Sequence, residues 1–261
     1  MDLALMIARS GLEAHHKNIE VISNNLANSN TGAFKKNRAE FTDLPYQIVK
    51  QPGVPIVEGN STTSGLVVGT GTKLSSNKKI FEQGPQIQTG NPFDIMIQGR
   101  GFIQVQLPNN NSFAYTRAGS LTMNEQGQLT TQNGYIVQPP ITIPPQSQIS
   151  IDQSGVITSI SPGQQTPTQI GQLQLADFLN PDGLQPIGDN LYIETNSSGA
   201  VILGSPGQDA YGLIKQNAIE GSNVNVVEEM VNLIEAQRAF EVTSKAVSAV
   251  DNMLEQLNRT T

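Results

Sequence analysis

Apolar residues recur at every seventh position near the C-terminal end of the chain, in a stretch, 225–258, that contains neither glycine nor proline. One series consists of Val226, Leu233, Phe240, Val247 and Leu254, and a second, three residues after members of the first, of Ala236, Thr243, Val250 and Leu257. This spacing places both series on one helical face, and a strict heptad turns that face into a seam that another helix must cover. The pattern predicts a long C-terminal helix, which is either a coiled-coil strand or a core helix of a globular domain.

The N-terminal end carries a matching pattern. Its series consists of Leu5, Leu12, Ile19 and Leu26, with Ala8, His15 and Ile22 three residues further on. The first ~28 residues therefore predict a second heptad helix, roughly 40 Å long at the helical rise. Because each seam needs a partner, we expect the two terminal helices to form a coiled-coil stalk.

Polar residues mark the limits of these helices. Asn225 can cap the C-terminal helix, and Glu228 follows three residues later, as in a capping box. The N-terminal helix runs into several asparagines between positions 24 and 30 and then Gly32. These residue types tolerate the left-handed conformation that ends helices.

Between the helices the pattern changes to short alternating runs separated by turn residues. Phe102–Leu107 alternates in polarity, and Val156–Ile160 is a further short run that follows a turn. Asn133-Gly134 between apolar alternations is a strong hairpin signal. The regular spacing predicts antiparallel strands and not βαβ units. Ahead of these runs, the prolines and glycines of Pro45–Thr72 predict an extended arm or loop.

The predicted fold class is therefore α+β. Long N- and C-terminal helices over 1–32 and 222–261 form a discontinuous inner domain. A linker and extended arm occupy 33–80, and an inserted antiparallel all-β domain occupies 81–221.

Composition and charge exclude several classes of function. The net charge of −7 argues against binding nucleic acid or an anionic membrane through bulk electrostatics. The absence of cysteine excludes disulfides, thiolate catalysis and zinc–thiolate sites. No apolar run approaches the length of a membrane span, and the acidic start does not fit a secretory signal, so we expect neither membrane insertion nor a cleaved signal peptide.

Residues suited to catalysis or metal binding do not form a recognisable constellation. His15 and His16 are the only histidines, and both fall on the N-terminal helix, where a packed histidine is the better interpretation. Asp94, Arg100 and Arg117 are expected to form an ion pair within the β domain. We predict no enzyme activity, no metal site and no cofactor.

Two asparagine-rich segments at opposite ends of the chain resemble the signatures of bacterial flagellar rod and hook proteins. The N-terminal signature comprises Asn24, Asn25, Leu26, Ala27, Asn28, Thr31 and Phe34, and the C-terminal signature comprises Ser222, Asn223, Val224 and Asn225. Asp94–Phe102 and Tyr115–Gly119 are similar to the β-domain core of the same family. One position differs, because this chain has Ala33 where the family motif has glycine directly before the phenylalanine.

Within this family of basal-body rod proteins the chain is most similar to the distal rod protein. The similarity lies in its length, in the segment Gly188–Thr195, and in the arm around Gln51, Pro52 and Gly53.

The resemblance implies a structural subunit of the flagellar distal rod that assembles helically into a hollow drive shaft. This periplasm-spanning shaft transmits torque to the hook and rotates within the ring bushing. The implied partners are further copies of the chain, proximal rod proteins, hook protein, the periplasmic and outer-membrane ring proteins, and the flagellar export apparatus, which needs no cleaved signal peptide. The polymer interface is expected at the helix seams, namely Leu5, Leu12, Ile19, Leu26, Leu233, Phe240, Val247 and Leu254.

Two alternatives stay open. The first is a proximal rod or hook subunit of the same axial family. The second is a secreted or surface β-domain enzyme or binding protein whose terminal helices merely trimerise it. The second alternative requires a pocket with convergent polar groups, and the sequence offers no candidate set.

Overall fold

The computed structural model describes residues 2–50, 55–57, 60–61, 65–108, 112–161, 166–208 and 210–260. The chain divides into two compact units. The helical unit comprises Met1–Ala27, Asn37–Lys79 and Asn225–Thr261, and the β unit comprises Asn28–Lys36 and Ile80–Val224. Terminal helices with a β-rich middle confirm the predicted α+β class.

The described part of the helical unit contains two long helices and six short strands. Helix α1 spans Asp2–Ala27 and α2 spans Val226–Thr260. The strands are β1 Asn37–Asp43, β2 Gln47–Lys50, β3 Pro55–Val57, β4 Asn60–Ser61, β5 Leu66–Val68 and β6 Thr72–Lys79. They pair antiparallel as β1–β6, β2–β5 and β3–β4.

The β1–β6 ribbon packs closely on α1 at Gly71, where any side chain would overlap the helix. Gly71, just before β6, has φ +118°, and a Cβ there would overlap the Ser10 hydroxyl oxygen. That oxygen accepts a hydrogen bond from the Thr72 N–H at 3.3 Å. Glycine is therefore required at this position both for its backbone conformation and for the close approach of the strand.

The boundaries of the two compact units differ from the predicted domain boundaries. Helix α1 ends at Ala27, and part of the predicted linker forms β1 and β6, which belong to the helical unit. Strand β1 has the sequence NRAEFTD, in which Ala39 and Phe41 are the two apolar residues, so its strand signal is short and weak. Its partner lies more than 28 residues further along the chain, so only the tertiary fold reveals the pairing.

The β unit contains sixteen strands among the described residues. The first eight are β7 Gln86–Gln88, β8 Ile95–Gln98, β9 Phe102–Gln106, β10 Phe113–Thr116, β11 Leu121–Met123, β12 Leu129–Thr131, β13 Ile136–Val137 and β14 Gln148–Ile151. The others are β15 Val156–Ile160, β16 Thr168–Gln172, β17 Leu175–Asp177, β18 Gln185–Gly188, β19 Leu191–Ile193, β20 Ile202–Gly204, β21 Leu213–Gln216 and β22 Ala218–Glu220. A short 3-10 helix spans Pro181–Gly183.

These strands form a nine-stranded antiparallel sheet and three smaller ones. The path of the large sheet is β11-β12-β13-β9-β10-β19-β18, and β17 joins it by pairing with β9 and β20. The smaller sheets are β14-β15-β16, β8-β21 and β7-β22. The run Ile170–Phe178 is divided between β16 and β17 at Leu173-Gln174.

Strand β9 shows how the core is built. Ile103 and Val105 belong to an aliphatic cluster, whereas Phe102 belongs to an aromatic cluster with Tyr115 and Phe178. Because successive side chains of a strand point to opposite faces, β9 is covered on both sides. The two faces of β9 therefore pack into different parts of the core.

Candidate functional site

Helices α1 and α2 pack against each other antiparallel within the helical unit. A Cβ at Gly11 would lie 3.7 Å from Thr243 Cγ2, and the rings of His16 and Phe240 have centroids 6.4 Å apart. Near the other end of α1, Asn25 donates a hydrogen bond to Glu229. As residue numbers rise along α1, the contacting residue numbers fall along α2, which defines the antiparallel arrangement.

Of the predicted seam residues, Phe240 lies against α1 through the ring of His16. Described seam side chains are half-buried at Leu5, Leu12, Ile19, Leu26, Leu233, Phe240 and Val247. Ala236, on the same face of α2, is fully buried. The side chain of Leu254 lies outside the part of the chain that the structure describes. Each seam therefore finds part of its cover within the chain and keeps part of its surface exposed.

A second apolar face of α2 is left without cover in the single chain. It begins in the first turns of the helix and consists of Val227, Met230, Val231 and Ile234, which are between 49% and 71% exposed. Residues at these steps of three and four lie on one side of a helix. The seven-residue pattern did not identify this face, because none of the four belongs to the predicted seams.

The start of α2 is capped as predicted. The Asn225 side-chain oxygen accepts a hydrogen bond from the Val227 N–H at 3.1 Å. Glu228 and Glu229 occupy the first turn, where the helix dipole favours negative charge. An N-cap satisfies backbone N–H groups that have no partner inside the helix.

Asn25, in the N-terminal signature, is 1% exposed and makes three hydrogen bonds within the helical unit. Its oxygen accepts from the Asn37 N–H and its nitrogen donates to the Asn37 carbonyl, both at 2.8 Å. Its nitrogen also donates to Glu229 Oε2 at 3.2 Å. One side chain therefore links the end of α1, the first residue of β1 and the first turn of α2.

Asn223, in the C-terminal signature, has a comparable role within the β unit. Its oxygen accepts from the Lys36 N–H at 2.7 Å, and its nitrogen donates to the Ile80 carbonyl at 2.8 Å. The Ile80 N–H in turn donates to the Lys36 carbonyl at 2.9 Å. Three chain segments that are distant in sequence are joined in this way.

Other signature residues shape the turn after α1 and the approach to α2. Thr31 donates through both its backbone N–H and its hydroxyl to Asn28, and Phe34 and Ser222 are buried. The remaining members form no common site with them. Asn24 accepts a long hydrogen bond from Asn37, Leu26 and Val224 are half-buried, and Ala27 is exposed at the end of α1.

The departure from the family motif falls on a residue with a positive φ. Ala33 has φ +58° and is 2% exposed. Its N–H donates to the Glu220 carbonyl at 2.8 Å. An alanine at this φ pays a steric cost that glycine does not, so the turn carries local strain.

A buried ion network lies beside this turn. Glu220 Oε1 accepts from Lys35 Nζ at 2.6 Å and from the Gly84 N–H at 2.9 Å, and Glu220 Oε2 accepts from Arg117 Nε at 3.0 Å. The side chains of Lys35 and Glu220 are 0% exposed and that of Arg117 is 4% exposed. Burial alone would raise the pKa of Glu220, but Arg117 and Lys35 together hold that pKa below its ordinary value. Burial lowers the pKa of Lys35.

The ion pair predicted between Asp94, Arg100 and Arg117 is wrong. Arg117 pairs with Glu220, and Arg100 pairs with Asp177 at 3.2 Å. Asp94 accepts hydrogen bonds from Asn91 and Ser120. The correct partner of Arg117 was missed because it lies 103 residues away, at the end of β22.

The arm residues Gln51, Pro52 and Gly53 lie outside the described residues. The strands on either side, β2 and β5, form a two-stranded ribbon with exposed apolar side chains. These are Tyr46, Ile48, Val49, Leu66 and Val67, which are between 48% and 60% exposed.

Among the described residues, no group of three or more histidine or carboxylate side chains is placed to hold a metal ion. Across the same residues, neither helix combines the length and the apolar character needed to cross a membrane.

Comparison with known proteins decides the family. Residues 5–35 match the model "Flagella basal body rod protein", residues 96–159 match "Flagellar hook protein FlgE/F/G D1 domain", and residues 215–260 match "Flagellar basal body rod FlgEFG protein C-terminal". Flagellar basal-body rod protein FlgG of Caulobacter vibrioides is 47% identical over 254 residues, which cover 97% of each chain. The chain belongs to the flagellar basal-body rod protein family.

Two further similarities were found. Flagellar basal-body rod protein FlgF of Caulobacter vibrioides is 32% identical over 253 residues, covering 94% of this chain and 92% of that protein. The crystal structure of flagellar hook protein FlgE2 of Helicobacter pylori aligns with a TM-score of 0.24 at 12% identity, over 61% of this chain and 47% of the other, which is too slight to describe the fold. As a member of the rod family, the chain is a structural subunit of the flagellar basal body and not an enzyme.

Proposed function

We propose that this rod protein forms the distal rod and polymerises through the outward faces of its terminal helices. The similarity to FlgG, which is higher than that to FlgF of the same bacterium and extends over nearly the whole chain, supports the distal position. A proximal rod or hook subunit is the alternative within the same axial family.

The observation that carries the self-assembly proposal is the uncovered apolar face of α2. Val227, Met230, Val231 and Ile234 are all at least 49% exposed in the single chain. Fully burying one such side chain contributes about 1.5–3 kcal/mol, so a neighbouring subunit that covers part of this face gains several kcal/mol. Clustered exposed apolar side chains are typical of interaction surfaces.

The predicted seam residues contribute to the same interface. Leu5, Leu12, Ile19 and Leu26 on α1, and Leu233, Phe240 and Val247 on α2, keep part of their surface exposed after the two helices have paired. Leu254 continues this series in the sequence. We propose that the paired helices act as one coiled-coil layer and that neighbouring copies cover what the intramolecular packing leaves open.

The arm is proposed to be a clamp between adjacent subunits. The flanking β2–β5 ribbon and the adjoining Tyr46 expose five apolar side chains, which fit a contact with a neighbour better than a solvated loop. Gln51, Pro52 and Gly53 continue this segment, and proline limits the freedom of the backbone that such a contact must order. Repetition in every subunit would stiffen the whole rod even if each contact is weak.

In this proposal the polymer is a hollow drive shaft that turns within the periplasmic and outer-membrane rings and transmits torque to the hook. Its contacts are with other copies of the chain, proximal rod proteins, hook protein and ring proteins. The subunit reaches the growing tip through the flagellar export apparatus without a cleaved signal peptide.

Replacement of Ile234 by aspartate tests the proposal. Ile234 is 49% exposed, so the single chain should fold, whereas a carboxylate at a dry subunit interface is costly. Cells that produce only Ile234→Asp should export the subunit but lack distal rods and hooks in electron micrographs. Ile234→Leu keeps the apolar surface and should give normal rods. Full-length rods built from a folded and exported Ile234→Asp protein would contradict assembly through this face.

A further inference from the structure

The polypeptide passes from one compact unit to the other at four points, after Ala27, Lys36, Lys79 and Val224. In a rod subunit under torque, a backbone connection that can twist freely absorbs part of the rotation. The side chains that bind the connecting segments therefore affect how rotation is transmitted, as well as how stable the fold is.

On the helical side, Asn25 holds the connection at Asn37. Its amide group binds both the N–H and the carbonyl of Asn37, each at 2.8 Å, as the backbone of a neighbouring strand would. The same amide nitrogen donates to Glu229 in the first turn of α2. Asn25 is 1% exposed, so these hydrogen bonds are shielded from competing water.

On the β side, Asn223 holds the preceding residue, Lys36. Its oxygen accepts from the Lys36 N–H at 2.7 Å, while its nitrogen donates to the Ile80 carbonyl at 2.8 Å. Asn223 itself lies two residues before the point where the chain passes into α2. It thereby links three of the four connecting segments.

The two asparagines thus bind consecutive backbone N–H groups, Lys36 by Asn223 and Asn37 by Asn25. Each uses both the acceptor oxygen and the donor nitrogen of its side-chain amide, a group that only asparagine and glutamine carry. Aspartate has no donor when ionised, and alanine has neither group. This use of the full amide distinguishes a positioning role from simple filling of space.

We propose that Asn25 and Asn223 are positioning residues that fix the chain at Lys36-Asn37, so that torsional load passes between the two units without backbone slack. The torque-carrying part of this inference rests on the proposed function of the protein as a drive shaft. The local part, that each asparagine separately fixes one backbone N–H group, does not depend on it.

Amide hydrogen exchange on the full-length chain tests the local part. In Asn223→Ala, exchange at Lys36 should rise about tenfold, the factor expected for loss of one hydrogen bond, with exchange at Asn37 unchanged. In Asn25→Ala the opposite pattern is expected. Asn133→Ala, which alters an exposed turn residue of the β unit, should change neither. Unchanged exchange in both variants, or an equal rise at all amides of the protein, would overturn the proposal.

Torsional compliance of assembled basal bodies tests the functional part, measured from the rotation of a bead attached to the hook under a known torque. Rods built from Asn25→Ala/Asn223→Ala should twist further than unaltered rods or rods of Asn133→Ala. Asn223→Asp, which keeps the acceptor for Lys36 and loses the donor to Ile80, should give an intermediate compliance and is the variant to use where the double variant fails to assemble. Equal compliance in all assembled rods would overturn the proposal. Failure of the unaltered chain to appear in rods would contradict only the drive-shaft function, because the exchange measurement needs no rod.

Discussion

At the scale of single residues, buried charge holds the segments of the β unit together. Glu220 lies between Lys35 and Arg117, and Arg117 also donates to the carbonyl groups of Gly99 and Gly101. Charges removed from water are costly unless they are paired and hydrogen-bonded. The network meets this condition, so removing its only anion should cost more than any exposed ion pair of the chain contributes.

Glu220→Gln should lower the free energy of unfolding at pH 7 by about 3–5 kcal/mol, because it removes the carboxylate that pairs with two buried cations. The control is Glu125→Gln, an exposed residue for which a change within about 0.5 kcal/mol is expected. Denaturant titration followed by circular dichroism measures both. A neutral Glu220→Gln would show that the network contributes no net stability.

The same carboxyl group predicts a pH dependence. The pKa of Glu220 in the folded protein lies below its ordinary value of 4.5. Its stabilising contribution is therefore complete above pH 4.5 and is lost as the pH falls through the folded pKa. The stability difference between the unaltered protein and Glu220→Gln should narrow below pH 4.5, which unfolding titrations at pH 7 and pH 3 can test. A constant difference between the two proteins would contradict this assignment.

Ala33 shows a different residue-scale effect, since its φ of +58° is unfavourable for any side chain and worst for a β-branched one. Ala33→Val should lower the free energy of unfolding by about 2–4 kcal/mol through backbone strain and overpacking. Ala33→Gly should change it by less than about 1 kcal/mol, because relief of strain is offset by lost methyl burial and greater freedom of the unfolded chain. Thermal unfolding of the two variants tests the turn, and a well-tolerated valine would contradict the left-handed conformation.

At the scale of elements, the helices were predictable because their signals are local. The heptad spacing and Asn225 predicted α2, which begins at Val226. Strands β9 and β15, in which apolar residues are in the majority, were predicted within about one residue at each end. Strands β1 and β6, which contain few apolar residues, were not predicted, since their pairing depends on partners distant in sequence.

Asn225→Ala should lower the free energy of unfolding by about 1 kcal/mol, because the Val227 N–H loses its partner at the start of α2. Asn225→Asp retains an acceptor and adds a favourable charge at the positive end of the helix, so little loss is expected. Chemical denaturation of both variants provides the test. An equal decrease in the free energy of unfolding of the two variants would mean that the Asn225 cap does not stabilise the start of α2.

At the scale of the whole molecule, function depends on many identical weak contacts repeated along a polymer. The uncovered face of α2 and the exposed β2–β5 ribbon are the two described apolar surfaces for which the proposed function provides a partner. The first is proposed to hold the polymer together and the second to stiffen it. If these roles are separable, one can be removed without the other.

Deletion of residues 51–64 should therefore permit polymerisation and yield rods that bend more easily. Each arm contact need contribute only about 1 kcal/mol, the scale of one net hydrogen bond, to matter when it is repeated in every subunit. Persistence lengths of deleted and intact rods, measured on electron micrographs, decide the matter. Equal persistence lengths of the deleted and intact rods would contradict the clamp proposal.

The sequence by itself determined the terminal helices, their seams, the β-rich middle and the family, because heptads, alternation and signature segments are local patterns. It also marked Asn25 and Asn223 as signature residues without indicating what they bind. Only the tertiary structure decided that the two helices pair antiparallel within one chain, that Glu220 neutralises Lys35 and Arg117, and that a further apolar face of α2 stays uncovered. These features depend on residues tens to hundreds of positions apart, which no local pattern encodes and which only the packed chain brings together.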